Sequence, residues 1–276
     1  MKSNQFSYLK NTSGKHKDWY GPDYIKIFCS ELNKNKKIFD GKKFLNDYKA
    51  QYLDLELNDR LALIATLFYE RSEGEYLNKL NSLRALFGSP LQTESGMFTQ
   101  GFYLYPLSKF VEIYGAENCS ASLDFIKDLT QRFTGEWAIR TIAIHEPKMT
   151  FSRVKEWSKD SNLHVRRLAS EGLRPRLPWG KKIEWINRSP KKLIPIYTHL
   201  RNDASLYVRK SVANSMGDII KIDPELAKET FSKWLKRKKT KDNLWVIKHA
   251  IRLPVKKEKS DFLEISHQIQ QLYLKC

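Results

Sequence analysis

An all-α fold of stacked helix pairs is predicted for this 276-residue chain by three observations. Apolar residues recur three and four apart over long stretches. Strand-like alternation bounded by turn dipeptides is nearly absent. Three short segments also repeat: HVRRLASEG (164–172), YVRKSVANS (207–215) and WVIKHAIRL (245–253). Their Val165, Val208 and Val246 are separated by 43 and 38 residues. Those periods sit at or near the roughly 40–47 residues of HEAT and armadillo units, whose helix pairs stack into a curved α-solenoid.

Residues 1–40 are polar and basic (NTSGKHKDWYGPD, NKNKK) and read as a partly irregular N-terminal arm, ordered by packing or by a ligand. Residues 41–276 are expected to form one domain. There KKFLNDYKAQYLDLEL (42–57), DRLALIATLFYERS (59–72) and EYLNKLNSLRALFG (75–88) each carry the helical spacing. Prolines at 106, 147, 175, 178, 190 and 224 fall between helical segments and read as stops. KRKKTK (236–241) reads as a solvated loop or as a phosphate contact.

Lys and Arg number 49 against 31 Asp and Glu, a formal charge of +18. Such a charge repels itself in a compact state, so a polyanionic partner is the economical reading. Membrane is the competing polyanion, but no concentrated basic amphipathic anchor is present. The longest apolar run, LALIATLFY (61–69), is far shorter than the roughly 20 residues of a membrane span. MKSNQFSYLK is no secretory signal. Cys29, Cys119 and Cys276 are isolated and odd in number, which fits neither a disulfide framework nor a zinc site. His145, His164, His199 and His249 show no ligand spacing, and no glycine-rich phosphate loop occurs, so neither metal nor cofactor is expected. The expectation is a cytoplasmic monomer.

The stretch HVRRLASEGLRPRLPWG (164–180) gathers Arg166, Arg167, Arg174 and Arg176 around one carboxylate, Glu171. Wound as a helix, it puts Val165, Leu168, Ala169 and Gly172 on one stripe and Arg167 with Glu171 on another face. That pair reads as a surface i,i+4 ion pair or as part of a functional edge. The same winding of the next repeat makes Val208, Val212, Ser215 and Ile219 the core stripe. Asn214 takes the angular place of Glu171, and Asp218 lies one turn beyond on the same edge. Stacking in register then sets Glu171 and Asp218 on one concave surface, with Arg167, Arg209 and Lys210 nearby. Glu136 and Arg140 form another i,i+4 pair, structural by spacing alone.

At these residues the chain resembles the AlkC branch of the AlkC/AlkD superfamily of alkylpurine DNA glycosylases. The likeness is carried by HVRRLASEGLRPRLPW, YVRKSVANSMGDIIKIDP, RFTGEWAIRTI and GFYLYPLSKFVEIYG, and runs from FDGKKFL (39–45) to LWVIKHAIRLPVKK (244–257). It implies HEAT-like repeats with a basic concave face on duplex DNA, and hydrolysis of the glycosidic bond to cationic bases such as 3-methyladenine and 3-methylcytosine. It also implies a monofunctional enzyme and a site at the bacterial nucleoid. The family's three acids fall on Glu136, Glu171 and Asp218, its aromatic after the Arg-Pro-Arg-Leu-Pro turn on Trp179, and a position more often phenylalanine on Trp137. GEWAIRTI and NSMGD depart from the family pattern, which bears on lesion preference. Some relatives append an immunoglobulin-like domain; none is expected within these 276 residues, and the grip on DNA is expected from the repeats or the basic arm. DNA contacts are therefore expected from Arg140, Arg166, Arg167, Arg174, Arg176, Arg209, Lys210, Lys248 and Arg252.

The chemistry fits these residue types. A base alkylated on a ring nitrogen is already a good leaving group and needs no general acid, unlike an ordinary glycoside. What remains is to stabilise an oxocarbenium-like sugar and orient a water, tasks for carboxylates kept ionised by neighbouring arginines. In this reading the arginines hold phosphates and Glu171 faces the cationic target. Trp179 stacks on the base or sugar, or else caps the turn after Pro178. The competing functions are a non-catalytic HEAT-repeat protein recognising damaged or distorted DNA, and a protein-interaction scaffold. Retention of all three acids favours the enzyme over the first, and the charge disfavours the second.

Overall fold

The computed structural model describes residue 6, residues 14–236 and residues 240–274. The centre of KRKKTK (237–239), most of the first 13 residues and Cys276 lie outside the described residues. Among the described residues the secondary structure is helical, with no strand. The chain falls into two compact units, Met1–Glu146 and Pro147–Cys276, where the sequence placed a single domain over 41–276.

The first unit carries α1 (Pro22–Leu32), α2 (Gly41–Lys49), α3 (Leu57–Arg71), α4 (Tyr76–Leu83), α5 (Tyr105–Tyr114), α6 (Cys119–Thr130) and α7 (Ala138–His145). Helix α3 packs on α5, and α5 on α7. Of the N-terminal arm, residues 16–40 are ordered by packing. His16–Tyr20 form a 3₁₀ turn, α1 follows, and Tyr20, Tyr24, Ile25, Phe28, Leu32 and Phe39 are buried. The Tyr20 hydroxyl donates to the Phe102 carbonyl at 2.6 Å and that of Tyr24 to Tyr103 at 2.9 Å. Polar composition hid this packing, because the aromatic residues are spread thinly among lysines.

The run 42–57 is also not one helix. It breaks between α2 and α3, where Arg60 reaches back to the carbonyls of Leu55 and Leu53 at 3.0 and 3.2 Å. That buried guanidinium satisfies carbonyls the turn leaves open. The prolines at 106, 147, 190 and 224 open helical turns rather than stopping them. Proline lacks only an N–H that a first turn leaves unused.

The second unit carries α8 (Pro147–Trp157), α9 (Leu163–Glu171), α10 (Glu184–Arg188), α11 (Ile194–Leu200) and α12 (Leu206–Ile222). Then come α13 (Pro224–Lys236), α14 (Lys241–Ala250), α15 (Arg252–Lys256) and α16 (Ser260–Tyr273). The three repeated segments fall on α9, α12 and α14. Helix α9 packs on α12 and α12 on α14, while α8, α13 and α16 flank them in turn. Val165, Val208 and Val246 are fully buried at equivalent places in this HEAT-like stack. Each central helix is capped by a polar side chain: Asn162 accepts from the amides of His164 and Val165, Ser205 from Val208, and Thr240 from Asn243.

Candidate catalytic and DNA-contact site

Two arginines that the sequence assigned to phosphate are built into this stack. Arg166 donates to the carbonyls of Asp160 and Ser161 and pairs with Asp203 of the next repeat, Nε to Oδ2 at 2.6 Å. Arg209 repeats the pattern, donating to the carbonyls of Asp203 and Ala204 and pairing with Asp242 at 3.1 Å. The two form a ladder that joins successive repeats. That corrects their reading as free phosphate contacts, since each guanidinium has its acid and its carbonyls.

The acids are placed by the ends of α9 and the middle of α12. Helix α9 ends at Glu171, and the chain turns through Arg174-Pro175-Arg176-Leu177-Pro178-Trp179, anchored by buried Leu173, Leu177 and Ile183. The turn folds the Arg174 side chain between the two helices. Its Nη1 donates to Glu171 Oε1 at 2.7 Å and its Nε to Asp218 Oδ2 at 3.0 Å. Arg167 stands 3.7 Å from the same Glu171 oxygen and lies over the Tyr207 ring. Lys221 is 3.7 Å from Asp218 Oδ1. Glu171 and Asp218 are therefore brought together as the matched faces predict, through one shared cation.

They are not, however, exposed on a surface. Glu171 is 5% exposed and Asp218 3%. The reason lies between the helices, where the polar edge of α9 faces α12. Ser170 donates to the Ser211 hydroxyl at 2.6 Å and Ser215 to the Ser170 carbonyl at 3.3 Å. Burial acts to raise the Glu171 pKa. The charges of Arg167 and Arg174, with hydrogen bonds from Ser211 and Arg174, outweigh it and hold the carboxyl below its ordinary value. For Arg174 burial likewise opposes the charge, and the two acids win, raising its pKa. Arg174 thus serves the carboxylates rather than a phosphate.

The other candidates divide by exposure. Arg176, Lys210, Lys248 and Arg252 are exposed and can meet an anion. Trp179 is 94% exposed and holds φ +57, a left-handed conformation that costs a side-chain-bearing residue about 1–2 kcal/mol. It is no core tryptophan. In the first unit Glu136 is buried at the turn before α7, accepting from the Thr134 hydroxyl at 3.1 Å. Trp137 is buried too and stacks on Tyr105, ring centroids 5.1 Å apart. Arg140 is 1% exposed, which corrects its reading as a phosphate contact. Tyr105 was missed by sequence reasoning although it lies in the quoted GFYLYPLSKF. Burial first, then the charges of Glu112 and Glu136, raise its pKa. Among the described residues no group of three His, Cys, Asp or Glu could hold a metal ion, and no helix is long and apolar enough to cross a membrane.

No family model matches the chain. It is 32% identical over 242 residues to the uncharacterized protein YhaZ of Bacillus subtilis (strain 168), a match covering 87% of the chain and 65% of that relative's length. The solved structure of the Pseudomonas fluorescens alkylpurine DNA glycosylase AlkC, bound to DNA containing an abasic site analogue, superposes with a TM-score of 0.79 at 31% identity. That match covers 92% of this chain and 69% of AlkC. AlkD2 from Streptococcus mutans shares the fold at 24% identity, with a TM-score of 0.50 and coverage of 76% and 96% of the two chains. Helical repeats, two acids bridged from consecutive repeats and likeness over nine-tenths of its length converge: the chain belongs to the AlkC/AlkD superfamily of alkylpurine DNA glycosylases.

Proposed function

We propose that the protein hydrolyses the N-glycosidic bond of cationic alkylated bases in duplex DNA, with 3-methyladenine and 3-methylcytosine as its substrates. It does so as a monofunctional glycosylase, without a cofactor. The observation that carries this reading is the Glu171–Arg174–Asp218 bridge. A single arginine favours the ionised form of Glu171 and fixes both carboxylates relative to one another, so they need no reorganisation when positive charge develops on the sugar. Arg174 also partly cancels their field. The acids therefore act at short range, on a sugar brought directly against them. Glu136 assists by positioning water or the lesion, and Trp179 by stacking on it.

The test is release of free base. Alkylated DNA incubated with the protein is expected to yield methylated bases by chromatography while the DNA backbone stays intact. Tight binding to abasic-analogue duplex with no released base would replace this reading with that of a non-catalytic HEAT-repeat DNA-binding protein.

A further inference from the structure

A cavity of about 180 Å³ opens beside Asp218 within the second unit, lined by Arg174, Asp218, Lys221, Arg252, Lys257 and Lys259. Five cations face one acid. Arg174 and Lys221 are engaged by Asp218, but Lys257 and Lys259 have no ion-pair partner among the described residues. Arg252 is oriented by neutral acceptors, donating to the carbonyl of His249 and to Asn214 Oδ1 at 3.0 Å, with no carboxylate paired to it among the described residues. The two lysines flank Glu258, whose φ of +54 is left-handed. The turn that closes α15 enforces this conformation, with the Lys259 amide donating to Pro254 O at 3.2 Å and that of Glu258 to Val255 O at 2.9 Å. Backbone strain in such a turn persists only where the surroundings over-determine it. Near these cations His249 has its pKa lowered, by burial first and then by Arg252 and Lys210.

We propose that this cavity seats a single phosphate of the DNA strand that carries the target nucleotide; the proposal rests on the glycosylase reading. Unpaired cations around a small concave space match a compact oxyanion, and the exposed cavity mouth lets a continuous strand enter and leave. The acid in the wall adds the selectivity. Asp218 repels an anion that lies against it, so the phosphate sits on the Lys257, Lys259 and Arg252 side. The deoxyribose joined to that phosphate then falls against Asp218. One phosphate contact thereby converts general attraction for DNA into placement of one sugar beside the carboxylates.

The experiment scans methylphosphonates through a duplex containing a tetrahydrofuran abasic-site analogue, removing one phosphate charge at a time. The wild-type protein is expected to lose about 10-fold in affinity at one phosphate next to the analogue. Lys257→Gln/Lys259→Gln is expected to weaken binding to the fully charged duplex by a similar factor. It then suffers no further loss from the methylphosphonate at that position, while losses elsewhere persist. It should also lower the log–log salt slope by about 1. Arg252→Gln, on the same side of the cavity, is expected to erase the same position, and Lys233→Gln, paired with Glu229 elsewhere, to leave the scan unchanged. If the double variant keeps the wild-type pattern, or weakens every position equally, the phosphate seat is overturned. Because the scan needs no base release, a protein that failed to excise would leave it fully readable.

Discussion

Arg174 holds two acids at once, and that sharing governs how their losses combine. Glu171→Gln and Asp218→Asn delete charge while keeping shape. Each is expected to slow single-turnover base release by roughly 10²–10³-fold, the scale of one preorganised electrostatic group. Binding to undamaged DNA should not weaken, since a negative charge is removed. The double variant should lose much less than the product of the two, because either change already unbalances the shared arginine. Rates equal to wild type under saturating enzyme would remove both acids from the chemistry. Glu171 also carries a pH signature. Its folded pKa lies below the ordinary 4.5, so its ionisation contributes stability that is fully present above that value and lost as pH falls through the folded one. Melting temperatures taken from pH 7 down to 3 should fall more steeply below about 4.5 in the wild type than in Glu171→Gln. Parallel curves would show that the bridge does not favour the ionised form. Trp179 gives a third residue-scale expectation. Trp179→Gly relieves the left-handed backbone and removes an exposed indole, so the melt should hold or rise slightly while excision drops. A collapsed melt would return the residue to a packing role. Identity and angular position of the acids were legible in sequence; their burial and their shared cation were not, because a helical wheel contains only one helix.

At the scale of elements, the repeats are joined by caps and by the Arg166–Asp203 and Arg209–Asp242 ladder. Asn162→Ala leaves two amides of α9 without their acceptor and should cost about 1 kcal/mol of unfolding free energy. Arg166→Met strands Asp203, which is nearly buried, and should cost about 1–3 kcal/mol. Neither change should alter the salt dependence of DNA binding, measured by titration against salt. A shallower slope for Arg166→Met would restore it as a phosphate contact. The periodic valines announced these elements because core spacing repeats locally. The break between α2 and α3 was hidden because Tyr52 and Leu55 continue the apolar rhythm through a turn closed by Arg60.

For the whole molecule, the charge of +18 predicts non-specific duplex binding with a steep negative log–log dependence on salt. A flat titration would remove the electrostatic basis of the DNA reading. The sequence by itself determined the all-helical class, the repeat and the family, because hydrophobic period and a long unusual motif are properties of neighbouring residues. It also named Glu171 and Asp218. Tertiary structure alone decided that residues 16–40 carry packed aromatic side chains, that Arg140 is buried, that Arg166 and Arg209 tie one repeat to the next, and that Arg174 serves two carboxylates. The physical reason is reach. The Arg166–Asp203 and Arg174–Asp218 pairs close over 37 and 44 residues, so each cation meets its acid only when one repeat is laid against the next, and a charge counted in the sequence becomes available to DNA only if that stacking leaves it unpaired.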